Sequence, residues 1–148
     1  MKTIFITGGA GYIGSHCVVS LVKNGFKPII IDNFSNSKEN AIKNIELIIG
    51  QKIIFYKIDL RDKKKLKSIF KKHKCYCVIH CAGLKAIGES VKEPITYIEH
   101  NVGSTLSLLD CMMQEGVYKI IFSSSASVYD AKQTPPWKEQ DKIGNTNN

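Results

Sequence analysis

The sequence predicts an α/β fold, a doubly wound parallel sheet in strand order 3-2-1-4-5, spanning residues 1–148 as one domain. Three observations predict it. Five short apolar runs alternate strictly with helical patterns. The runs are apolar at consecutive positions, as strands covered on both faces must be. A glycine-rich turn joins the first run directly to the first helix, and strict alternation of strand and helix implies right-handed crossovers between parallel strands.

In chain order, Thr3–Thr7 reads as a strand and Tyr12–Lys23 as a helix stopped by Asn24-Gly25. Lys27–Asp32 is the second strand, and Lys38–Ile49 the second helix, closed by Gly50. Lys52–Asp59 and Lys63–His73 form the third pair, and Cys75–His80 the fourth strand. After a loop, Pro94 opens the longest helix at a position proline tolerates. Its apolar stripe is Ile95, Ile98, Val102, Leu106, Leu109 and Met113, in steps of three and four. Gly116 ends it, Tyr118–Ser123 is the fifth strand, and the polar remainder from Ser124 to Asn148 reads as loop, with Trp137 pinning it. The fifth strand is expected to leave a bare edge, which makes the isolated chain marginally stable and prone to aggregate.

Composition is that of an ordinary globular protein, 43% hydrophobic and 23% charged. The apolar runs are too short to cross a bilayer, and Met1-Lys2 leads straight into a strand, so a cytoplasmic location without membrane contact is expected. The net charge of +8 raises the question of a polyanion partner. Arg61 is the sole arginine, however, and the densest lysines lie on the solvated face of the Lys63–His73 helix, so no nucleic-acid role is expected. Five cysteines without a secretory signal are expected to be reduced thiols. Cys75, Cys77 and Cys81 are expected on one sheet face and His80 on the other, so that no metal is expected there. Cys17 and Cys111 read as small core residues on helices. His16 and His100 also fall on helices, where His100, beside Asn101, either approaches a ligand site or is simply packed or solvated.

Between the first strand and first helix, Gly8, Gly11 and Gly14 have G-x-x-G-x-x-G spacing. A tight turn, close backbone approach to a pyrophosphate and close helix–sheet packing each exclude a Cβ. The helix N-terminus behind them presents free amides and a positive dipole end to the phosphates. Asp32 closes the second strand, where a carboxylate can bond both ribose hydroxyls and repel a 2′-phosphate, favouring NAD over NADP. Asp59 closes the third strand, either to bond the adenine amino group or to cap the helix that follows.

Several segments resemble the UDP-glucose 4-epimerase family, within the extended short-chain dehydrogenase/reductase superfamily. They are Thr7-Gly-Gly-Ala-Gly-Tyr-Ile-Gly-Ser-His16, the loop Asp32 to Ser37, His80-Cys-Ala-Gly-Leu-Lys-Ala-Ile-Gly-Glu-Ser90, and Phe122-Ser-Ser-Ser-Ala-Ser-Val-Tyr129. The resemblance covers the whole chain, whereas family members are more than twice as long. It implies a Rossmann-type domain ending before the last strands and the substrate domain. It also implies an isomerase of galactose metabolism that interconverts UDP-glucose and UDP-galactose through a 4-keto sugar, and a possible homodimer when complete. By the same resemblance, Tyr12 and Ile13 give amides to the pyrophosphate, and Asp32, Asn33, Asn36 and Ser37 bind the adenosine side, with Asp59 and Leu60 beside the adenine. Cys81, Ala82, Gly83 and Lys85 line the cofactor further along, Lys85 reaching the nicotinamide-side ribose and the substrate. Asn101 lies near cofactor and substrate, and Ser125 is the serine that hydrogen-bonds the reacting sugar hydroxyl.

The sequence departs from the family in three places. Cys81 stands where many members have phenylalanine, and Asp130 where glycine is usual. The catalytic Tyr-x-x-x-Lys pair, expected just beyond Asn148, is not in the chain, and Tyr129 has Gln133 where a lysine would be needed. The expectation is therefore an N-terminal fragment that binds NAD and does not turn over. The alternatives are another extended-family enzyme such as a nucleotide-sugar 4,6-dehydratase, which would want an acid pair where Ala126 and Ser127 stand, or a non-catalytic NAD-binding module.

Overall fold

The computed structural model describes residues 1–130 and 132–144; Ala131 and 145–148, part of the stretch read as loop, lie outside the described residues. Four elements occupy the residues the sequence predicts: β1 (Thr3–Thr7), α1 (Tyr12–Lys23), β2 (Lys27–Asp32) and β4 (Cys75–His80). Four others are shorter than their apolar patterns: α2 (Asn40–Ile49), β3 (Ile54–Lys57), α3 (Lys63–Lys72) and β5 (Ile120–Phe122). The sheet runs β3-β2-β1-β4-β5, every neighbouring pair parallel.

The double winding follows from which strand residues point which way. Phe5, Ile29, Ile31 and Val78 point to one side, where α3 brings Leu66, Ile69 and Phe70. Ile4, Ile6 and Ile30 point to the other, under Val18 of α1 and Ile42 and Ile45 of α2. Burial of these strands on both faces explains the unbroken apolar runs. On α3, Asp62 caps the N-terminus by accepting from the Lys65 N–H at 3.1 Å, and Lys63 and Lys65 pair in solvent with Asp110 and Asp62. The lysine-rich face is thus a solvated helix face.

The segment after Pro94 differs from its reading. It is α5 (Pro94–Ile98), one wide π turn (Glu99–Gly103) and α6 (Ser104–Gln114). The predicted stripe is the outward one: Ile95, Ile98, Val102, Leu106 and Met113 are all more than half exposed, and Leu109 is 37% exposed. The face laid on the sheet is Ser104, Ser107, Leu108, Cys111 and Met112. Both faces have steps of three and four, and hydrophobicity alone selects the bulkier one. The sequence reading also missed α4 (Ile87–Lys92), a short helix with no buried residue.

A second correction concerns the cysteines. The β1–β4 register slips between Thr3 and Ile4, whose partners are Cys75 and Cys77. The irregularity turns Cys75 to the side of Phe5, while Cys77 packs with Ile4 and Ile6 on the other. Strict alternation, which had put both on one face, does not survive a bulge. Among the described residues no group of three His, Cys, Asp or Glu side chains is placed to hold a metal ion. No helix of the described residues is long and apolar enough to cross a membrane.

All three residues of β5 are exposed, Ile121 and Phe122 by more than half. At the opposite edge, Tyr56 of β3 holds the ring of His73 at the end of α3, Oη to Nε2 2.7 Å. Burial first, then Lys72 and Lys27, lowers the His73 pKa from its ordinary 6.5. His80, 1% exposed, is lowered by burial as well.

The two helix faces separate experimentally in dilute, monomeric samples. Leu108→Ala is expected to cost about 2–5 kcal/mol in urea denaturation, and Leu106→Ala no more than about 0.5 kcal/mol; equal losses would contradict the orientation of α6. Because the folded chain resists protonation of His73 and His80, the unfolded state binds more protons below the ordinary imidazole pKa. The urea midpoint is therefore expected to be flat from about pH 8 to 7 and to fall between about 6.5 and 5, before carboxylates begin to titrate. In His73→Gln part of that slope disappears.

Candidate functional site

The order β3-β2-β1-β4-β5 reverses direction between β1 and β4, and at such a switch point the connections leave a crevice at the carboxyl ends of the strands. A cavity of about 390 Å³ lies there, lined from β1, β2, β3 and β4 ends and from the helices around them.

Its floor is the β1–α1 turn. Gly8 has φ +67°, and a Cβ on it would stand 2.7 Å from Ala82 N and 2.9 Å from the Cys81 carbonyl carbon. A Cβ on Gly14 would meet Gly8 O at 2.2 Å. These two glycines bring the chain's own backbones together. Gly11 is milder, with Gly8 O at 3.2 Å from such a Cβ; its own bareness opens the turn toward the cavity. The first helical amide with a partner is Ser15 N, donating to Gly11 O at 2.9 Å. The amides of Tyr12, Ile13 and Gly14 therefore precede the helical ladder, α1 has no side-chain cap, and its first turn holds no acid. Such an end attracts an anion.

Asp32 forms the next wall. It is 9% exposed; Oδ2 accepts from Ala10 N at 3.0 Å, and Oδ1 from Phe34 N at 2.8 Å and Ser37 Oγ at 3.2 Å. The carboxylate thus ties the phosphate-type loop to the β2–α2 loop and holds Asn33, Ser35, Asn36 and Ser37 around the cavity. Phe34, at φ +58°, packs beneath that loop.

Of the two readings of Asp59, the structure overturns the helix cap. Asp62, not Asp59, caps α3. Asp59 Oδ1 accepts from Arg61 N and Nε, both at 2.9 Å, and Oδ2 from Arg61 Nη2 at 2.8 Å and Asn33 Nδ2 at 3.2 Å. The Arg61 guanidinium holds this carboxyl well below the usual range. Asp59, Leu60 and Arg61 together line the cavity end nearest β3.

On the β4 side, Cys81, Ala82, Gly83, Leu84 and Lys85 line the cavity. Burial, and then the neighbouring Cys17 thiol, pushes the Cys81 thiol up to about 11, so it stays protonated at neutral pH. Asn101 is one layer back: Oδ1 accepts from Leu84 N at 2.7 Å and Nδ2 donates to Leu84 O at 2.9 Å. Ser125 is exposed and does not line the cavity; its Oγ accepts from Ser127 N at 3.2 Å, capping the 3₁₀ turn Ala126–Val128. Tyr129 stacks on Trp137, ring centroids 5.7 Å apart.

The structure therefore gathers Gly8, Gly11, Tyr12, Ile13, Gly14, Asp32, Asn33, Asn36, Ser37, Asp59, Leu60, Cys81, Ala82, Gly83 and Lys85 around one cavity, and leaves Asn101 and Ser125 outside its wall. Sequence reasoning missed Ser35, Arg61, Leu84 and Ser104 there. Arg61 carried a signal as the lone arginine beside a predicted site acid. Ser104, one turn from His100, carried none, because it sat on the face read as outward.

Compared with known proteins, residues 5–147 match the family model described as GDP-mannose 4,6 dehydratase. A UDP-glucose 4-epimerase of Neisseria meningitidis serogroup C is 48% identical over 146 residues, 99% of this chain and 43% of the relative. The chain thus spans under half the length of the curated relatives it matches. Among solved structures, a UDP-glucose 4-epimerase from Bifidobacterium longum in complex with NAD+ and UDP superposes with TM-score 0.94 and 42% identity, covering 99% of this chain and 44% of that one. One from Stenotrophomonas maltophila, with bound NAD and formylated UDP-arabinopyranose, superposes with TM-score 0.90 and 36% identity, covering 97% and 43%. With the sheet order, the glycine cradle and the acid at the end of β2 all in place, the chain belongs to the extended short-chain dehydrogenase/reductase family that the dehydratase model describes, as a homologue of the UDP-glucose 4-epimerases across their N-terminal part.

Proposed function

We propose that this chain is the NAD-binding part of a UDP-glucose 4-epimerase. The observation that carries the reading is the meeting, in one cavity, of the uncapped α1 N-terminus with the buried Asp32 carboxylate. The amides of Tyr12 and Ile13 hold the diphosphate, and Asp32 takes the adenosine ribose hydroxyls. Asn33, Asn36, Ser37, Asp59 and Leu60 surround the adenine side, and Cys81, Ala82, Gly83 and Lys85 the other end. The residues fit the group because a Cβ on the cradle glycines would close it. When bound, NAD would supply hydride acceptor and donor chemistry for the sugar carbon.

The remaining steps belong to residues. Lys85 and Ser125 face the UDP-hexose, Ser125 orienting the hydroxyl to be deprotonated. That proton needs a base whose pKa lies near neutrality, the role of the family's tyrosine; the sequence contains no Tyr-x-x-x-Lys. The 148 residues by themselves therefore bind NAD and do not turn over. A dehydratase, the activity named by the family model, would want acids where Ala126 and Ser127 form the turn capped by Ser125. The outward stripe of α5 and α6 supports a homodimer in the longer protein, since a continuous apolar face of this kind calls for cover.

Calorimetric titration of the chain with NAD and NADP separately is expected to favour NAD. Asp32→Asn, which keeps the loop's shape, is expected to raise the NAD Kd about tenfold or more, a loss of about 1.4 kcal/mol, and to narrow the preference over NADP. A parent chain preferring NADP would overturn the role of Asp32. The chain extended through a downstream Tyr-x-x-x-Lys is expected to interconvert UDP-glucose and UDP-galactose by NMR assay; an extended chain that binds NAD and leaves both sugars unchanged would refute the epimerase assignment.

A further inference from the structure

His80 is 1% exposed and lines no part of the cavity, yet two points of the cavity's β4-side wall are tied to it. Its Nδ1 is 2.5 Å from Thr7 Oγ1, and its Nε2 is 3.0 Å from Thr105 Oγ1. Thr105 Oγ1 lies 2.6 Å from the Asn101 carbonyl, which can only accept. A hydroxyl has one proton to give, so Thr105 donates to Asn101 and accepts from His80. The imidazole proton therefore sits on Nε2, and Nδ1 accepts the Thr7 hydroxyl proton. Thr7 Oγ1 in turn receives the Ala82 N–H at 3.5 Å.

The hydrogen bonds run one way, from Ala82 through Thr7, His80 and Thr105 to Asn101. Ala82 lies in the wall, and the Asn101 side chain clamps Leu84 by both its N–H and its C=O. Asn101 O is also the carbonyl at the π turn that takes the Ser104 amide. A threonine hydroxyl bonded back to the carbonyl four residues earlier bends a helix at that point. The Asn101 amide reaches Leu84 from within this π turn.

We propose that His80 is a positioning residue, a neutral imidazole protonated on Nε2 that holds the Cys81–Lys85 wall at Ala82 and, through Asn101, at Leu84, and so sets the affinity of the cavity for a dinucleotide. This rests on the dinucleotide reading given above. The elements packed against the ring contribute Thr7 from β1, Thr105 from α6 and the Phe122 ring from β5, centroids 5.4 Å apart at 56°. Burial is the sole cause lowering its pKa, and no charged group acts on it. A second proton on Nδ1 would face the Thr7 hydroxyl that now donates to it and reverse that half of the chain.

The test uses the whole 148-residue chain, labelled with ¹⁵N, with two readouts. Long-range ¹H–¹⁵N correlation of the His80 ring is expected to show the neutral Nε2–H tautomer at pH 6.5, where an ordinary imidazole is about half charged. A half-charged ring or an Nδ1–H tautomer overturns the proposal. Thr105→Val, away from the cavity wall, is expected to shift the Leu84 amide and raise the NAD Kd about tenfold, the scale of one lost hydrogen bond, and Thr105→Ser to restore both. A folded Thr105→Val with the parent's Kd and Leu84 amide also overturns it, and if that variant does not fold, the parent's tautomer decides. Failure of the parent to bind NAD sinks the function reading and the affinity claim with it; NAD binding with the wrong tautomer sinks this inference alone.

Discussion

The close contact between the β1–α1 turn and the first residues after β4 is the constraint on which the rest depends. Gly8 lies so near Ala82 and Cys81 that no side chain fits between them, and Gly14 rests directly on Gly8. Two backbones and a helix end are thereby brought to one point at the switch in the sheet. Parallel pairing of β1 with β4 on one side and β2 on the other sets that point. From Ile4 to Thr7 the pairing with β4 is regular and leads directly into the cradle.

Around this contact the site divides by charge. The α1 end is uncapped and lacks acids in its first turn, leaving a positive pole in the cavity. Asp32, on the neighbouring strand, is satisfied by one amide from the first loop, one amide from the second and the Ser37 hydroxyl. It is organised before any ligand arrives, which lowers the cost of ordering at binding. Asp59 has a different part: paired with Arg61 and bonded by Asn33, it fastens the β3 end to the β2 loop. Acids at the ends of adjacent strands thus both fasten loops around the cavity.

Much of this was legible in the sequence. The strand and helix order, the boundaries of β1, α1, β2 and β4, and the glycine turn with its strand-end acids follow from local rules, whereas most of the cavity wall came from the resemblance to the epimerase family. Glycine spacing, apolar runs and an acid at a strand end each report on their own immediate backbone. The face of α6 was not legible, because two stripes of equal period competed and the less hydrophobic one faces the sheet. Nor was the split of Cys75 from Cys77, since a slip in pairing with β1 leaves no trace in the residues of β4.

By itself, the sequence determined the class of fold, the cradle and its acid, because those depend on residues close along the chain. Tertiary structure alone decided that Asn101 stands behind Leu84 and that His80 links Thr7 to Thr105. Those contacts join residues far apart in sequence, Thr7 and His80 by 73 positions, and only the packing of β1, β4 and α6 brings their polar atoms within reach. A buried polar atom must find its partner wherever the fold places one, and no local pattern records where that is.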